Sequence, residues 1–314
     1  MTTTTAPEDF LRVLDLTAAH FEQVLNLAAK MKNDPTGWRD AFPGLNLACF
    51  FEKPSTRTRL SFAAAAYRLG MLPIMLRPDE LQLGRGEPLA DTARVFAGYS
   101  AAIVVRTFAQ RTLEELAEAA DVAVVNALSD EHHPCQALAD LFTLRERFGR
   151  LRGLRLAYVG DSNNVAHSLM EAGALMGMHV VVASPPGYRP HPDVEAEARR
   201  IAEEQGGTIT VVTDPREAAA GADAIYTDVW VSMGQEAEAA ERRRDLAPYQ
   251  VNADLMALAK PHAVFMHCLP AHRGQEVTAD VIDGPQSVVW QQALNRLPTE
   301  QALLDLLLAG DWVE

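Results

Sequence analysis

Lysine is nearly missing from this chain, with only Lys30, Lys32, Lys53 and Lys260 among its 28 basic residues. The formal net charge is -14. Such an acidic surplus opposes nonspecific binding to nucleic acid, and any local cationic pocket has to be built from arginines. Cysteine is scarce too: Cys49, Cys135 and Cys268 cannot close a disulfide framework without leaving one over, which fits a reducing compartment. No apolar run approaches the roughly 18 residues of a membrane span. Residues 1–7 have neither the apolar core of a secretory signal nor the arginines of a transit peptide. Repeats, heptad arrays and low-complexity segments are lacking as well. These absences point to a soluble cytoplasmic protein with no nucleic-acid or membrane partner.

What is present is apolar content and alternation. A chain of 314 residues with 48% hydrophobic content can bury two cores. Strand candidates fall at 45–51, 72–76, 101–106 and 122–126, then at 154–160, 179–183, 208–212, 223–230, 263–268 and 287–290. An amphipathic opening helix is expected over 10–30, and further helices start near Arg57, Pro88 and Thr112. Residues 138–148 read as a helix joining the halves, ended by Gly149, and 294–308 as a terminal helix. Short β-rich runs alternating with helices are the α/β pattern, with two parallel-sheet domains. Ligands in such folds collect at the carboxyl ends of strands. The unusual residues fall there repeatedly.

After the run 45–51 comes Ser55-Thr56-Arg57-Thr58-Arg59, where a helix begins. Unpaired N–H groups, the positive end of the helix dipole and an arginine fork suit a phosphate. Plain helix capping by Ser55 and Thr56 is the competing reading. Arg106 ends an apolar strand, where a guanidinium needs an anion or solvent. His132-His133-Pro134-Cys135-Gln136 follows the strand at 122, with Pro134 in the first helical turn and His133 and Gln136 on one face. No second ligand pair has zinc spacing, so no metal is expected there.

In the second half, Gly160-Asp161-Ser162-Asn163-Asn164 occupies a strand-to-helix turn without the glycine fingerprint of a dinucleotide site. Either asparagine can cap the helix or bind a polar substrate. Asp228 suits an amine, and Ser232 with the Met233 backbone a carboxylate. Cys268, in His267-Cys268-Leu269-Pro270, is equally readable as a small buried hydrophobe. The charge run 236–244 reads as a solvated helix face or mobile loop, and 232–244 as a loop able to close over a substrate.

Taken in order, Ser55-Thr56-Arg57-Thr58-Arg59, Arg106, His133-Pro134-Cys135-Gln136, 228–234 and His267-Cys268-Leu269-Pro270 resemble the ornithine type of the aspartate/ornithine carbamoyltransferase family along nearly the whole chain. The resemblance implies a carbamoyl phosphate domain over 1–148 and an ornithine domain over 149–314. A C-terminal helix near 292–310 would pack back on the first, with the active site in the cleft between them. It implies transfer of the carbamoyl group of carbamoyl phosphate to the δ-amine of L-ornithine, giving L-citrulline and phosphate in arginine biosynthesis, with no metal and no cofactor.

By the same resemblance, Ser55, Thr56, Arg57, Thr58, Gln82, Arg106, His133, Gln136, Cys268, Leu269 and Arg296 hold carbamoyl phosphate. Asn164, Asp228, Ser232 and Met233 hold ornithine. Arg106, His133, Asp228 and Cys268 carry the chemistry. Gln82 reaches the neighbouring subunit's phosphate site in relatives, which implies a homotrimer, or a multiple of trimers, with shared sites. Arg59 is assigned to structure, paired with Glu52 or another acid. The chain departs from the family's usual Asp-Gln-Ala-Glu-Asn-Arg at Gln291 and Leu294, and Pro298 replaces a frequent histidine. A relative acting on a different amine is the nearest rival.

Overall fold

The β-branched and aromatic runs form two separate all-parallel sheets in the computed structural model, which describes residues 6–313. The chain divides into two units, Met1–Leu138 with Asn295–Glu314, and Ala139–Leu294. In the first, β1 (Asn46–Phe51), β2 (Leu72–Leu76), β3 (Ala102–Arg106) and β4 (Ala123–Leu128) lie in the order β2-β1-β3-β4. Helices α1 (Ala18–Asn33), α2 (Arg57–Arg68), α3 (Leu89–Tyr99) and α4 (Gln110–Ala119) connect or flank them. Parallel strands covered by helices read as continuous apolar runs. Accordingly Leu47, Ala48, Cys49, Phe50 and Phe51 of β1 are all buried.

In the second unit, β5 (Arg155–Val159), β6 (His179–Ala183), β7 (Thr208–Val212), β8 (Ala224–Tyr226) and β9 (Val264–Met266) take the order β7-β6-β5-β8-β9. Helix α5 (Pro134–Phe148) contains the first boundary between units. Then follow α6 (Asn164–Leu175), α7 (Pro192–Gln205), α8 (Pro215–Ala219), α9 (Ala239–Leu246), α10 (Ala253–Met256) and α11 (Ala279–Ile282). Helix α12 (Val289–Ala309) contains the second boundary. Each fully buried Val, Leu, Ile or Phe adds about 1.5–3 kcal/mol to such cores.

Three expectations needed revision. The expected strand at 287–290 is not one: Ser287 makes an isolated bridge to Phe265, and α12 starts two residues later. The apolar run there begins a helix because its far end continues at helical period. The strand at 223–230 stops at Tyr226, and the residues beyond it form a loop. The opening helix begins at Ala18, where the Thr17 hydroxyl accepts from the His20 N–H at 3.1 Å, a capping signal stronger than the apolar periodicity upstream. Phe10 instead bridges to Val125 beside β4.

In both sheets the strand order reverses once, between β1 and β3 and between β5 and β8. Those are the switch points where open α/β sheets leave a crevice at their carboxyl edge. Gly160, directly after β5, has φ 135°, and a Cβ there would sit 3.4 Å from the Thr227 hydroxyl. Glycine lets this turn pass close to the loop after β8.

Candidate active site

The first unit gathers its polar residues after β1, β3 and β4. Ser55 Oγ accepts from the Thr58 N–H at 3.3 Å, whereas Thr56, though it stands at the N-cap of α2, makes no side-chain cap bond. Capping therefore accounts for Ser55 and leaves the Thr56 hydroxyl outside it. Thr58 is buried, and its hydroxyl lies 3.2 Å from Nη2 of Arg296, which donates to it. Nη1 of Arg296 donates to Gln136 Oε1 at 2.9 Å, and Nε donates to Glu300 Oε1 at 2.8 Å. One buried guanidinium thus ties α2, α5 and α12 together, a use of the planar fork that lysine cannot match.

His133 is buried, and the charges that act on it are those of Arg296, Arg106 and Arg57. Burial first, then these three arginines, hold its imidazole well below the usual histidine range. It is neutral at pH 7, able to donate one hydrogen bond without adding charge. Arg106 is buried at the end of β3, where an extra residue of β4, Ala127, breaks the pairing between Val105 and Arg106. Such bulges re-aim a strand's end.

A network behind the histidine holds its loop. The Ser129 hydroxyl donates to Gln110 Oε1 at 2.6 Å and accepts from the His132 N–H at 3.0 Å, and Asn126 Nδ2 donates to the Leu11 carbonyl at 2.8 Å. Lys53, buried after β1, pairs with Asp130 and sits 4.2 Å from the Phe108 ring centre. Sequence reading missed Lys53; its only signal was being one of four lysines in an arginine-rich chain.

Arg59 departs from expectation: among the described residues it has no carboxylate partner, and its guanidinium lies 5.6 Å from the Phe51 ring centre instead. Glu52 accepts from the Thr107 hydroxyl. Gln82 is exposed in a short helical turn, Gln82–Arg85, while its neighbours Leu81 and Leu83 pack on the first unit's core.

The second unit assembles a different set. Asp228, buried after β8, accepts from Asn163 Nδ2 at 2.7 Å and from the Cys268 thiol at 3.0 Å. Asn163 Oδ1 meanwhile caps α6, accepting from the Val165 N–H at 2.9 Å. Asn163 thus links Asp228 to the β5 turn, and Asn164 opens α6 half-buried. The Tyr158 hydroxyl donates to the Asp161 carbonyl at 2.8 Å and lies 3.2 Å from Asn163 Oδ1.

Leu269, with φ 59°, occupies a left-handed conformation that costs a branched residue about 1–3 kcal/mol. Its N–H donates to His267 Nδ1 at 2.8 Å, which helps hold it there. Gln292 of α12, fully buried, accepts from the His267 N–H at 3.0 Å and donates to Asp140 at 2.7 Å and the Tyr226 hydroxyl at 3.1 Å. Its only mark in the sequence is that it keeps the glutamine of the family's usual Asp-Gln-Ala-Glu-Asn-Arg.

Ser232 and Gln235 close a turn on each other, and Met233 is 44% exposed. The charge run resolves into a helical turn and α9. Its Arg242, far from solvated, is buried, donating to Asp161 at 2.7 Å and to the Trp230 carbonyl at 3.2 Å. Burial pushes the Asp161 carboxyl up to about 6 against the pull of Arg242.

Among the described residues one donor trio converges, Asp228, His267 and Cys268, within 4.8 Å of one another. A closed structural zinc site takes four ligands, and here Asp228 and Cys268 already bond each other. Of the departures in α12, Leu294 is 75% exposed and Gln291 donates to Glu146 at 2.8 Å, so neither enters either cluster. Pro298 lies inside the helix and, having no N–H, removes the bond to the Leu294 carbonyl.

Residues 8–146 match the family model "Aspartate/ornithine carbamoyltransferase, carbamoyl-P binding domain", and residues 152–307 match "Aspartate/ornithine carbamoyltransferase, Asp/Orn binding domain". The chain is 56% identical over 299 residues to an ornithine carbamoyltransferase of Acidothermus cellulolyticus, covering 95% of this chain and 96% of that one. It is 54% identical over 312 residues to one from Symbiobacterium thermophilum, covering 98% and 100%. The solved ornithine carbamoyltransferase of Pyrococcus furiosus superposes with a TM-score of 0.93 at 50% identity, covering 97% of this chain and 98% of that one. Sequence and fold agree over nearly the full length, and the chain belongs to the aspartate/ornithine carbamoyltransferase family.

Proposed function

We propose that this protein transfers the carbamoyl group of carbamoyl phosphate to the δ-amine of L-ornithine, releasing L-citrulline and phosphate, in the arginine biosynthesis of the cytoplasm. The observation that carries this reading is the neutral, buried His133 under the charges of Arg57, Arg106 and Arg296, in a chain that is otherwise strongly acidic. Three guanidinium groups around a hydrogen-bonding imidazole suit a substrate with an anionic phosphate and a polar, uncharged carbonyl. Residues 1–148 serve carbamoyl phosphate and 149–314 serve ornithine, the C-terminal helix returning to the first. The reaction draws on no metal and no cofactor.

In the reaction a C–N bond forms and the bond from the carbamoyl carbon to the phosphate oxygen breaks, the electron pair leaving with phosphate and the proton shed by the amine ending on the phosphate released. Ser55, Thr56, Arg57, Thr58 and Arg296 hold the phosphate at the start of α2, where the helix dipole favours an anion. Thr58, Arg106 and His133 face the carbonyl oxygen as charge grows on it; a donor in that role is worth about 3–4 kcal/mol. A neutral His133 donates there without drawing a further anion into the site. Gln136 holds the carbamoyl amide, and Leu269 is a further carbamoyl phosphate residue.

The attacking amine must be neutral, although an unperturbed alkylamine ionises near about 10.4. Desolvation favours the neutral form. Asp228, as a carboxylate, favours the cation, so it binds and orients the amine, together with Asn164 and Cys268. Ser232 and Met233 take the α-carboxylate end. The assembly is a homotrimer or a multiple of it, Gln82 completing a neighbour's phosphate site. Supporting this, α2, β2 and α3 expose Leu60, Tyr67, Leu72 and Tyr99 at 66%, 62%, 61% and 73%, apolar area of the kind an interface covers.

The test is product formation from carbamoyl phosphate with L-ornithine, L-aspartate, putrescine and N-acetylornithine offered in parallel. Turnover with ornithine alone is expected. Preference for another amine would reassign the Ser232 loop, and turnover with none would overturn the reading.

A further inference from the structure

Arg296 is not free to present its whole charge to a ligand. Its Nε donates to Glu300 Oε1 at 2.8 Å and its Nη2 lies 2.6 Å from the same oxygen, one helical turn away on α12. Arg296 is 2% exposed and Glu300 fully buried. We propose that Glu300 is a positioning residue for the carbamoyl phosphate half-site: it fixes the plane of the Arg296 guanidinium and balances its charge, and it takes up a proton when the substrate's anion arrives. The inference rests on the reading of Arg296 as a carbamoyl phosphate ligand.

The geometry gives the reason. With Glu300 ionised, an incoming phosphate meets a neutral ion pair. With Glu300 protonated it meets a full cation, while Oε1 can still accept from Nε, so the orientation survives. A second anion nearby favours the protonated carboxyl, and binding and protonation therefore strengthen each other.

The groups around Glu300 leave it as the one that titrates. Arg296 faces it from its own helix, Ser61 from α2, Cys49 from β1 and Cys135 from α5. Burial pushes Glu300 up to about 7, with Arg296 and Ser61 pulling the other way. Burial also drives both thiols upward, away from neutrality, and His133 is held neutral.

The experiment is calorimetric titration of the full protein with carbamoyl phosphate alone, at several pH values from 7 to 8.5, in two buffers of different ionisation heat. This range lies above the second ionisation of a phosphate ester, at about 6. The wild type is expected to take up a substantial fraction of a proton per ligand near pH 7.5, and its Kd to rise about tenfold across the range, the scale of one charge repelling the phosphate through the site. Glu300→Gln, which keeps an acceptor at Oε1, is expected to take up no proton, to show a flat Kd, and to bind more tightly than the wild type at pH 8.5.

Equal proton uptake and slope in both proteins would overturn the proposal. So would a wild type that binds without proton uptake, a result that needs no variant to fold. A wild type that does not bind carbamoyl phosphate at any pH would instead overturn the reading of the half-site itself.

Discussion

Replacing Gln292 by leucine should damage the second unit from a distance. The glutamine is fully buried, and so are the three groups it serves, His267, Asp140 and Tyr226. Leucine matches its bulk but accepts nothing from the His267 N–H and donates nothing to Asp140 or to the Tyr226 hydroxyl, bonds now made at 3.0, 2.7 and 3.1 Å. A buried group deprived of its partner costs about 1–3 kcal/mol. Allowing for relaxation and for the apolar gain of leucine, the net loss is roughly 3–5 kcal/mol. At about 2–4 °C per kcal/mol for a unit of this size, Tm should fall by roughly 6–20 °C. Because the N–H that loses its acceptor belongs to His267, one residue before Cys268, KM for ornithine should rise as well. Thermal unfolding by circular dichroism and steady-state kinetics at 25 °C measure both. A Tm within about 2 °C of the wild type, with unchanged kinetics, would refute the claim that Gln292 fixes the segment carrying Cys268 and Leu269.

Three further predictions concern charge and assembly. His133, held low by burial and three arginines, should give the NMR signals of a neutral imidazole at pH 6; a protonated ring there would contradict the pocket's electrostatics. Asp161 ionises at about 6 when folded and near 3.8 when unfolded, so the folded state binds the extra proton and stability falls as pH rises through that window, then levels. Asp161→Asn should remove this component, read as the difference between urea-unfolding profiles from pH 4 to 7, and should raise KM for ornithine by freeing Arg242 and the loop at Trp230. Mixing Gln82→Ala protein with Arg57→Ala protein should restore part of the lost activity in hybrid assemblies; no recovery after verified subunit exchange would count against sites shared between subunits.

The two polar clusters were readable in sequence where unusual residues coincided with strand ends. Ser55 to Thr58, Arg106 and His133 follow apolar runs long enough to be strands, so parallel-sheet topology alone brings them to one edge. Asp228 and Cys268 follow the same logic, and the structure joins them at 3.0 Å. What escaped notice acts through long-range contacts that no local pattern encodes. Gln292 sits in an unremarkable helical turn, and its partners lie 25, 66 and 152 positions away. Arg242 looked like one charge in a solvated run, yet its partner Asp161 is 81 positions distant.

The pairing of Arg59 with an acid failed for a related reason, because the aromatic face of Phe51 was available nearer by. The misread strand at 287–290 shows that a short apolar run does not choose its own period; the helix that continues beyond it does.

The most direct test of the central claim, one transfer between two bound substrates, is 13C NMR of the wild-type protein turning over carbonyl-labelled carbamoyl phosphate in the presence of L-ornithine. The account predicts that the label moves into the ureido carbon of citrulline in step with phosphate release. Phosphate released while the label collects as bicarbonate, or label that never leaves carbamoyl phosphate, would contradict it.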